Sequence, residues 1–145
     1  MLLIRKFWLD MKEILRLARQ IINKELEPLN LSGAEGDLLF LLLTGSNNLQ
    51  QEQLAEQLDK GKAAVSRTVA SLEAKGYVIR VQSNWDKRAY SVSLTDKAFS
   101  VGEEIKEIYD QLYALVRKGI ADEEFIQVES LLTRVAANMK SQGDR

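Results

Sequence analysis

The chain has 145 residues, 46% of them hydrophobic and 28% charged, a size and composition typical of one globular domain with its own core. It contains no Cys and no His, which excludes disulfides, a thiol nucleophile, an imidazole base and the commonest zinc ligands. We therefore expect no metal, no cofactor and no enzymatic activity, because the sequence also lacks a Gly-rich phosphate loop. The early charged residues Arg5, Lys6 and Asp10 argue against a secretion signal or a membrane span, so we expect a cytoplasmic protein.

The first predicted helix is long and amphipathic and ends near Pro28. Its apolar residues alternate spacings of four and three and form a narrow stripe of Ile4, Trp8, Met11, Leu15, Ala18 and Ile22. A stripe of this width favours packing against a partner helix.

A helix-turn-helix is predicted in the middle of the chain. A core helix should begin after the N-cap Ser32 and extend through the apolar run 38–43, and turn residues 44–48 should stop it. Two short helices follow at 50–58 and 62–75, joined by a tight turn that contains Gly61, which is the pattern of a helix-turn-helix.

A β-hairpin, or wing, is predicted directly after these helices. Residues 77–81 are rich in β-branched side chains, and residues 89–94 alternate apolar and polar side chains with a period of two. The polar stretch 83–88 between them forms the tip. The fold class predicted is therefore mainly α with a small β-hairpin wing.

Two further helices are predicted after the wing. Thr95 should cap a long helix that ends around Gly119, and Asp122 should cap the last one. Both repeat the four-three spacing, at Val101, Ile105, Ile108, Leu112 and Leu115, and at Phe125, Val128, Leu132, Val135 and Met139. We predict a single domain, 1–145, in which N- and C-terminal dimerisation helices, 1–28 and 96–140, flank a winged helix-turn-helix lobe, 31–95. A homodimer would cover the apolar stripes, and an intramolecular bundle is the alternative.

Positive charge is concentrated in one segment of an otherwise acidic chain. Residues 60–90 contain seven basic and two acidic residues, a net charge of +5, whereas the whole chain carries −1. Such a segment is typical of a surface that meets phosphate, although a solvated basic face gives the same count.

The helix at 62–75 has the pattern of a recognition helix. Its Val65, Val69 and Leu72 share one face, which should be buried. The opposite face combines small side chains with Arg67, so it can enter a major groove and place one long cation at base edges. At the wing tip, Arg88 has the length to enter a minor groove. Asp86 is predicted to pair with Arg88 or with a cation of the recognition helix and so orient it, and Lys87 to contact a phosphate; a surface ion pair without function is the alternative for Asp86 and Arg88. The DNA-contact residues predicted are Lys62, Ala63, Ala64, Ser66, Arg67, Thr68, Asp86, Lys87 and Arg88.

Several motifs of the lobe are specific. The most specific is the wing, Asp86-Lys87-Arg88-Ala89-Tyr90-Ser91-Val92-Ser93-Leu94-Thr95, and Leu54-Ala55-Glu56-Gln57-Leu58, Val65-Ser66-Arg67-Thr68-Val69 and Leu72-Glu73-Ala74-Lys75-Gly76-Tyr77-Val78 add to it. With these motifs and its order of elements, nearly the whole chain resembles the MarR family of winged helix-turn-helix transcriptional regulators. The resemblance implies a triangular homodimer on a pseudo-palindromic double-stranded DNA operator, with recognition helices in major grooves roughly 34–36 Å apart. It also implies a repressor in which Lys62, Ser66, Arg67 and Arg88 contact DNA.

The chain departs from the family pattern at two helix starts. Gly61 stands where the family often has an acidic or polar cap before Lys62. Gln50 replaces the Ser or Thr that frequently opens the preceding helix, so we expect weaker capping at both helix starts. Release by a small anionic or aromatic effector is a further implication of the resemblance, but the sequence identifies no pocket. The alternative function is a winged-helix module that binds protein and not DNA.

Overall fold

The computed structural model describes residues 2–86 and 89–143. It is mainly helical with a small antiparallel sheet, as predicted. In chain order the elements are α1 (Leu2–Leu26), a 3₁₀ turn (Glu27–Leu29), α2 (Gly33–Thr44), β1 (Asn48–Gln50), α3 (Gln51–Leu58), α4 (Lys62–Ala74), β2 (Val78–Gln82), β3 (Tyr90–Leu94), α5 (Asp96–Ser100), α6 (Gly102–Arg117) and α7 (Asp122–Gly143).

The sheet has three strands in the order β1-β3-β2. The predicted hairpin of β2 and β3 is present and pairs Val78 with Leu94 through to Gln82 with Tyr90. The strand β1 differs from the prediction, because the sequence predicts a turn that includes residue 48. It pairs Leu49 with Val92, and this three-residue strand exists because β3 offers it a second edge.

The core of the lobe is formed by α2, α4 and the inner face of the sheet. Leu38, Leu39, Val69, Leu72 and Val92 are each fully buried. The predicted cap of α2 is confirmed, and it is a reciprocal one: Ser32 Oγ accepts from the Glu35 amide at 3.2 Å while Glu35 Oε1 accepts from the Ser32 amide at 2.9 Å.

The single long helix predicted after Thr95 is wrong, because α5 ends at Ser100 and α6 starts at Gly102. The Ser100 hydroxyl donates to the Lys97 carbonyl at 2.6 Å and competes with the helical backbone. Gly102 is buried where a Cβ would lie 3.1 Å from a methyl of Leu43, so the chain passes this point without a side chain. Both residues have a lower helix propensity than Ala, which favours the break.

The cap predicted for the last helix is also wrong. Asp122 is the first residue of α7, and the carbonyl of Ala121 accepts the first helical hydrogen bond, from Phe125. The Asp122 carboxylate instead pairs with Arg117, whose guanidinium also lies 5.7 Å from the Phe125 ring centroid. These contacts fix the turn that leads into α7.

The chain forms two compact units, residues 1–112 and 113–145. In each, apolar side chains of the predicted stripes remain exposed: Leu15 in α1 is 69% exposed, and Met139 in α7 is 58% exposed. The described helices include none that is long and apolar enough to span a membrane.

Candidate nucleic-acid interface

The two faces of α4 differ as the sequence predicts. Val65, Val69 and Leu72 are 2% exposed or less, and they fix the orientation of the helix in the lobe. The opposite face is open, with Ala63, Arg67 and Ala70 exposed. Across the described residues, Arg67 has no hydrogen bond or ion pair, so its guanidinium is free for an external acceptor.

The start of α4 is joined to α3 by weak, exposed contacts. Lys62 Nζ lies 3.4 Å from Glu52, and the side chains are 69% and 78% exposed. The Gln51 side chain donates to the Lys62 carbonyl at 3.5 Å. These residues and Asp86 line an open cleft of about 440 Å³ between the base of the wing and the helix-turn-helix. A phosphate could therefore compete with Glu52 for Lys62.

The two helix starts with unusual caps behave differently. Gln50 is the N-cap of α3, and its amide donates to the Gln53 side chain at 2.9 Å, which restores half of a capping box. Gly61 provides no side-chain cap for α4, as predicted. The first backbone amides of α4 therefore have no side-chain cap from Gly61, and helix starts of this kind can meet an anion.

The predicted contact residues Ala64, Ser66 and Thr68 lie at the edge of the open face, where all three are half-buried. The Thr68 hydroxyl donates to the Ala64 carbonyl at 3.0 Å, so it is already engaged within the helix. Ala64 and Thr68 also line a cavity of about 190 Å³ between α4 and α2, with Asp37 and Lys60 at its polar side.

The end of α4 is anchored by a buried carboxylate that the sequence analysis did not identify. Glu35, 4% exposed, accepts from the Ser71 hydroxyl at 2.8 Å and from Lys75 Nζ at 2.9 Å. Lys75 also donates to the Asn30 carbonyl at 2.8 Å. Burial raises the pKa of Glu35, but Lys75, the Ser32 amide and the Ser71 hydroxyl together outweigh it, so the pKa lies below its usual value of 4.5. The Ser-x-x-Glu spacing at 32–35 was the available signal.

A second cation of the basic segment is also engaged within the lobe. Arg80 of β2 donates to Glu73 of α4 at 3.0 Å and lies 5.1 Å from the ring centroid of Tyr90. The hydrogen bond from Arg80 holds the pKa of Glu73 below its usual value. Lys75 and Arg80 therefore stabilise the lobe, and the net charge of the segment overstates the cations that can face DNA.

The wing projects beyond the sheet. Its ladder continues to Ser83, whose amide donates to the Ala89 carbonyl at 2.9 Å, and the Ala89 amide donates to the Asp86 carbonyl at 3.1 Å. The predicted contacts Lys87 and Arg88 lie outside the described residues. The predicted orienting role of Asp86 thus stays a prediction, and the structure places Asp86 in the cleft beside Lys62.

A polar junction connects α2 to the helices that flank the lobe. Asp37 accepts from Arg19 of α1 at 2.9 Å and from the hydroxyl of Tyr109 of α6 at 2.5 Å. The Tyr109 ring stacks on Phe40 with centroids 4.3 Å apart. One carboxylate thus ties helices from both ends of the chain to the helix that anchors α4.

In the lobe, α3 and α4 form a helix-turn-helix, the inner face of α4 is buried while its outer face is open, and the hairpin of β2 and β3 follows. This geometry defines a winged helix-turn-helix protein. The model of the MarR family matches residues 29–89, which cover most of the lobe. The predicted resemblance is confirmed: residues 29–89 match the MarR family model, and the chain has the fold of solved MarR-family regulators.

Solved structures match the fold over most of the chain. A MarR protein from Peptoclostridium difficile is 24% identical with a TM-score of 0.83, over 94% of this chain and 88% of that one. The DNA complex of MepR from S. aureus is 22% identical with a TM-score of 0.80, over 88% of this chain and 94% of that one. The organohalide-sensing regulator RdhR, bound to 2,4-dichlorophenol, is 22% identical with a TM-score of 0.80, over 94% and 80%.

Proposed function

We propose that this protein is a sequence-specific transcription regulator that binds a pseudo-palindromic DNA operator as a homodimer and acts as a repressor. The observation that carries the proposal is the division of α4 into a buried stripe and an open face of small side chains around Arg67, which has no ion pair among the described residues. Such a face fits the major groove, where Arg reads guanine by two hydrogen bonds. The fold of the MepR–DNA complex supports the same use of the lobe.

The homodimer is supported by the exposed stripes of the flanking helices. In α1, Ile4 and Leu15 are 60% and 69% exposed, and in α7, Val128 and Met139 are 46% and 58% exposed. Apolar stripes of this extent on helices favour burial against a second copy. The mass in solution should be that of two 16.4 kDa chains, and a monomer by light scattering would remove this part of the proposal.

Release by a small molecule is the regulatory part of the proposal. The cavity of about 190 Å³ beside α4 has apolar walls and two charged residues, Asp37 and Lys60. It is smaller than the roughly 300–1,000 Å³ of drug-sized sites, so only a compact ligand would fit. A ligand there would press on α4 directly and shift its orientation.

The test of DNA binding is fluorescence anisotropy on a duplex from upstream of the gene and on a scrambled duplex, across salt concentrations. Specific regulation requires the upstream duplex to bind at least ~10³-fold more tightly. Arg67→Ala should cost about 1–3 kcal/mol and relax base preference, and Lys62→Ala should lower the salt slope by about one. Arg88→Ala tests the predicted wing contact in the same assay.

The matched control is Lys118→Ala, which removes an exposed cation far from the lobe in sequence and should bind like the wild type. If neither the upstream duplex nor a random duplex library yields a preferred sequence, the DNA-binding proposal fails. A protein-binding lobe then becomes the better explanation.

A further inference from the structure

The wing tip carries an unusually exposed aromatic side chain. Trp85 is 91% exposed, whereas the only other Trp of the sequence, Trp8, is 46% exposed. Within the described part of the chain, its indole has no hydrogen bond and no ring contact. The exposed ring is therefore available to an external surface. Burying a Trp is among the largest favourable contributions that one side chain can make, so a surface that covers it gains binding energy.

The backbone holds Trp85 in a defined place. Its amide is 3.4 Å from Ser83 Oγ, and the next residue, Asp86, accepts from the Ala89 amide at 3.1 Å. The ladder hydrogen bond between Ser83 and Ala89 closes the strands just below the tip. The backbone that carries the indole thus belongs to a paired hairpin, so less backbone entropy is lost when Trp85 binds.

The charge of the segment indicates what the indole meets. Trp85 lies in the same basic segment as the exposed cations Lys62 and Arg67 of α4, and these favour a polyanion over an apolar protein surface. It also lies on the same lobe as the open face of α4. A duplex that places its major groove on α4 brings its backbone and the adjacent minor groove towards a wing.

The chemistry of the indole fits one kind of minor groove. Its ring N–H can only donate, and A·T pairs present only acceptors there, adenine N3 and thymine O2. A G·C pair adds an amino donor that would oppose the N–H and obstruct the ring. Apolar side chains also enter minor grooves as wedges.

We propose that Trp85 is a specificity-determining residue whose indole enters the minor groove beside the half-site and selects A·T over G·C there. The proposal rests on the proposed DNA-binding function. It adds a base preference outside the sequence that α4 contacts.

The experiment starts with a duplex selected from a random library by the wild-type full-length chain. Selection is then repeated with Trp85→Ala and Trp85→Phe. We expect the same central half-site from all three proteins, with flanking A·T preference lost for Ala and weakened for Phe, which lacks the N–H. Trp85→Ala should bind the wild-type duplex about ten-fold more weakly. Its salt slope should be unchanged, because no charge is removed.

Base analogues separate the minor groove from the major groove. An inosine·cytosine pair resembles G·C in the major groove but lacks the minor-groove amino group. Two duplexes are made in which the flanking A·T pairs are replaced, by inosine·cytosine in one and by G·C in the other. The wild type should bind the inosine duplex as tightly as the original duplex, and the G·C duplex about ten-fold more weakly. Trp85→Ala should bind all three equally.

The outcomes are distinct. If the wild type selects no sequence, the proposed function fails and this proposal fails with it. If it selects one but Trp85→Ala keeps the flanking preference, Trp85 is not a specificity determinant, whatever the change in affinity. Full wild-type affinity and preference in Trp85→Ala would point to a protein partner. An unchanged thermal midpoint of Trp85→Ala shows that its folding is intact.

Discussion

Replacement of Glu35 by Gln tests whether the buried carboxylate anchors α4. Glu35 accepts hydrogen bonds from the Ser32 amide, the Ser71 hydroxyl and Lys75 Nζ at 2.8–2.9 Å. Gln keeps the shape and one acceptor oxygen, so it can retain the bond that caps α2. It loses the charge opposite Lys75, and its amide N–H faces the Ser71 hydroxyl, which must rotate from donor to acceptor.

The magnitude follows from these contacts. Breaking a fully buried pair costs about 3–5 kcal/mol. The Lys75 side chain is 29% exposed and retains the Asn30 carbonyl, so its charge stays partly solvated and the cost falls below that range. We expect Glu35→Gln to lower the free energy of unfolding by about 2 kcal/mol, since a hydrogen bond to a charged group contributes roughly 1.5–3 kcal/mol.

The pH dependence gives an independent readout. The pKa of Glu35 is lower in the folded protein than its usual value of 4.5, so its stabilisation is complete above that pH and declines as the pH falls through the folded-state pKa. The free energy of unfolding of the wild type should thus fall with acid more steeply than that of Glu35→Gln. The two curves should converge at low pH.

Urea unfolding from pH 7 down to pH 3, at one protein concentration, measures both effects. The control is Glu56→Gln on α3, an exposed carboxylate with no ion pair among the described residues. Equal stability of Glu35→Gln and the wild type at neutral pH, with parallel pH profiles, would refute the anchoring role.

Substitutions at two further positions probe the backbone at Gly76 and the junction at Asp37. Gly76 has a φ of +83° and a Cβ there would only touch Lys97 at 3.7 Å, so Gly76→Ala should cost about 1–2 kcal/mol from backbone strain in urea unfolding. Gly76→Asn should cost less, because Asn tolerates this conformation, and equal losses would exclude strain as the cause. Asp37→Asn removes the charge that Arg19 contacts but can still accept from Tyr109, so it should lower the unfolding free energy by about 1 kcal/mol or less, as for a partly exposed ion pair. Asp37→Ala should lose more in the same titration, and an equal loss would show that the Tyr109 hydrogen bond contributes nothing.

The elements that the sequence predicted well are those in which periodicity reflects burial. The spacing of Val65, Val69 and Leu72 identified the inner face of α4, and alternation at 89–94 identified the second wing strand. The strand β1 contains a single buried residue, Leu49, and such a short segment has no period to detect. The break before α6 had a weak local signal in Ser100 and Gly102, both poor helix formers, but the close packing of Gly102 against Leu43 appears only in the fold.

The candidate site was predicted in its residue types but not in its internal pairing. The charge count treated Lys75 and Arg80 as available cations, and both are held within the lobe. Lys75 pairs with Glu35, 40 residues away in the chain, so only the folded structure brings them together. Lys62 and Arg67 lie on the exposed part of α4. The helical period alone predicts this exposure, because it identifies the face opposite the buried stripe.

The separation of the two faces of α4 affects how such a protein can evolve. The residues that hold the helix in the core and the residues that face outward occupy different positions: Val65, Val69 and Leu72 on one side, and Ala63, Arg67 and Ala70 on the other. Because the outer side chains contribute little to the core, they can change without a large loss of stability. Under the proposed function, operator preference can therefore drift by surface substitutions alone, and a duplicated gene could acquire new target sites while it keeps the same fold.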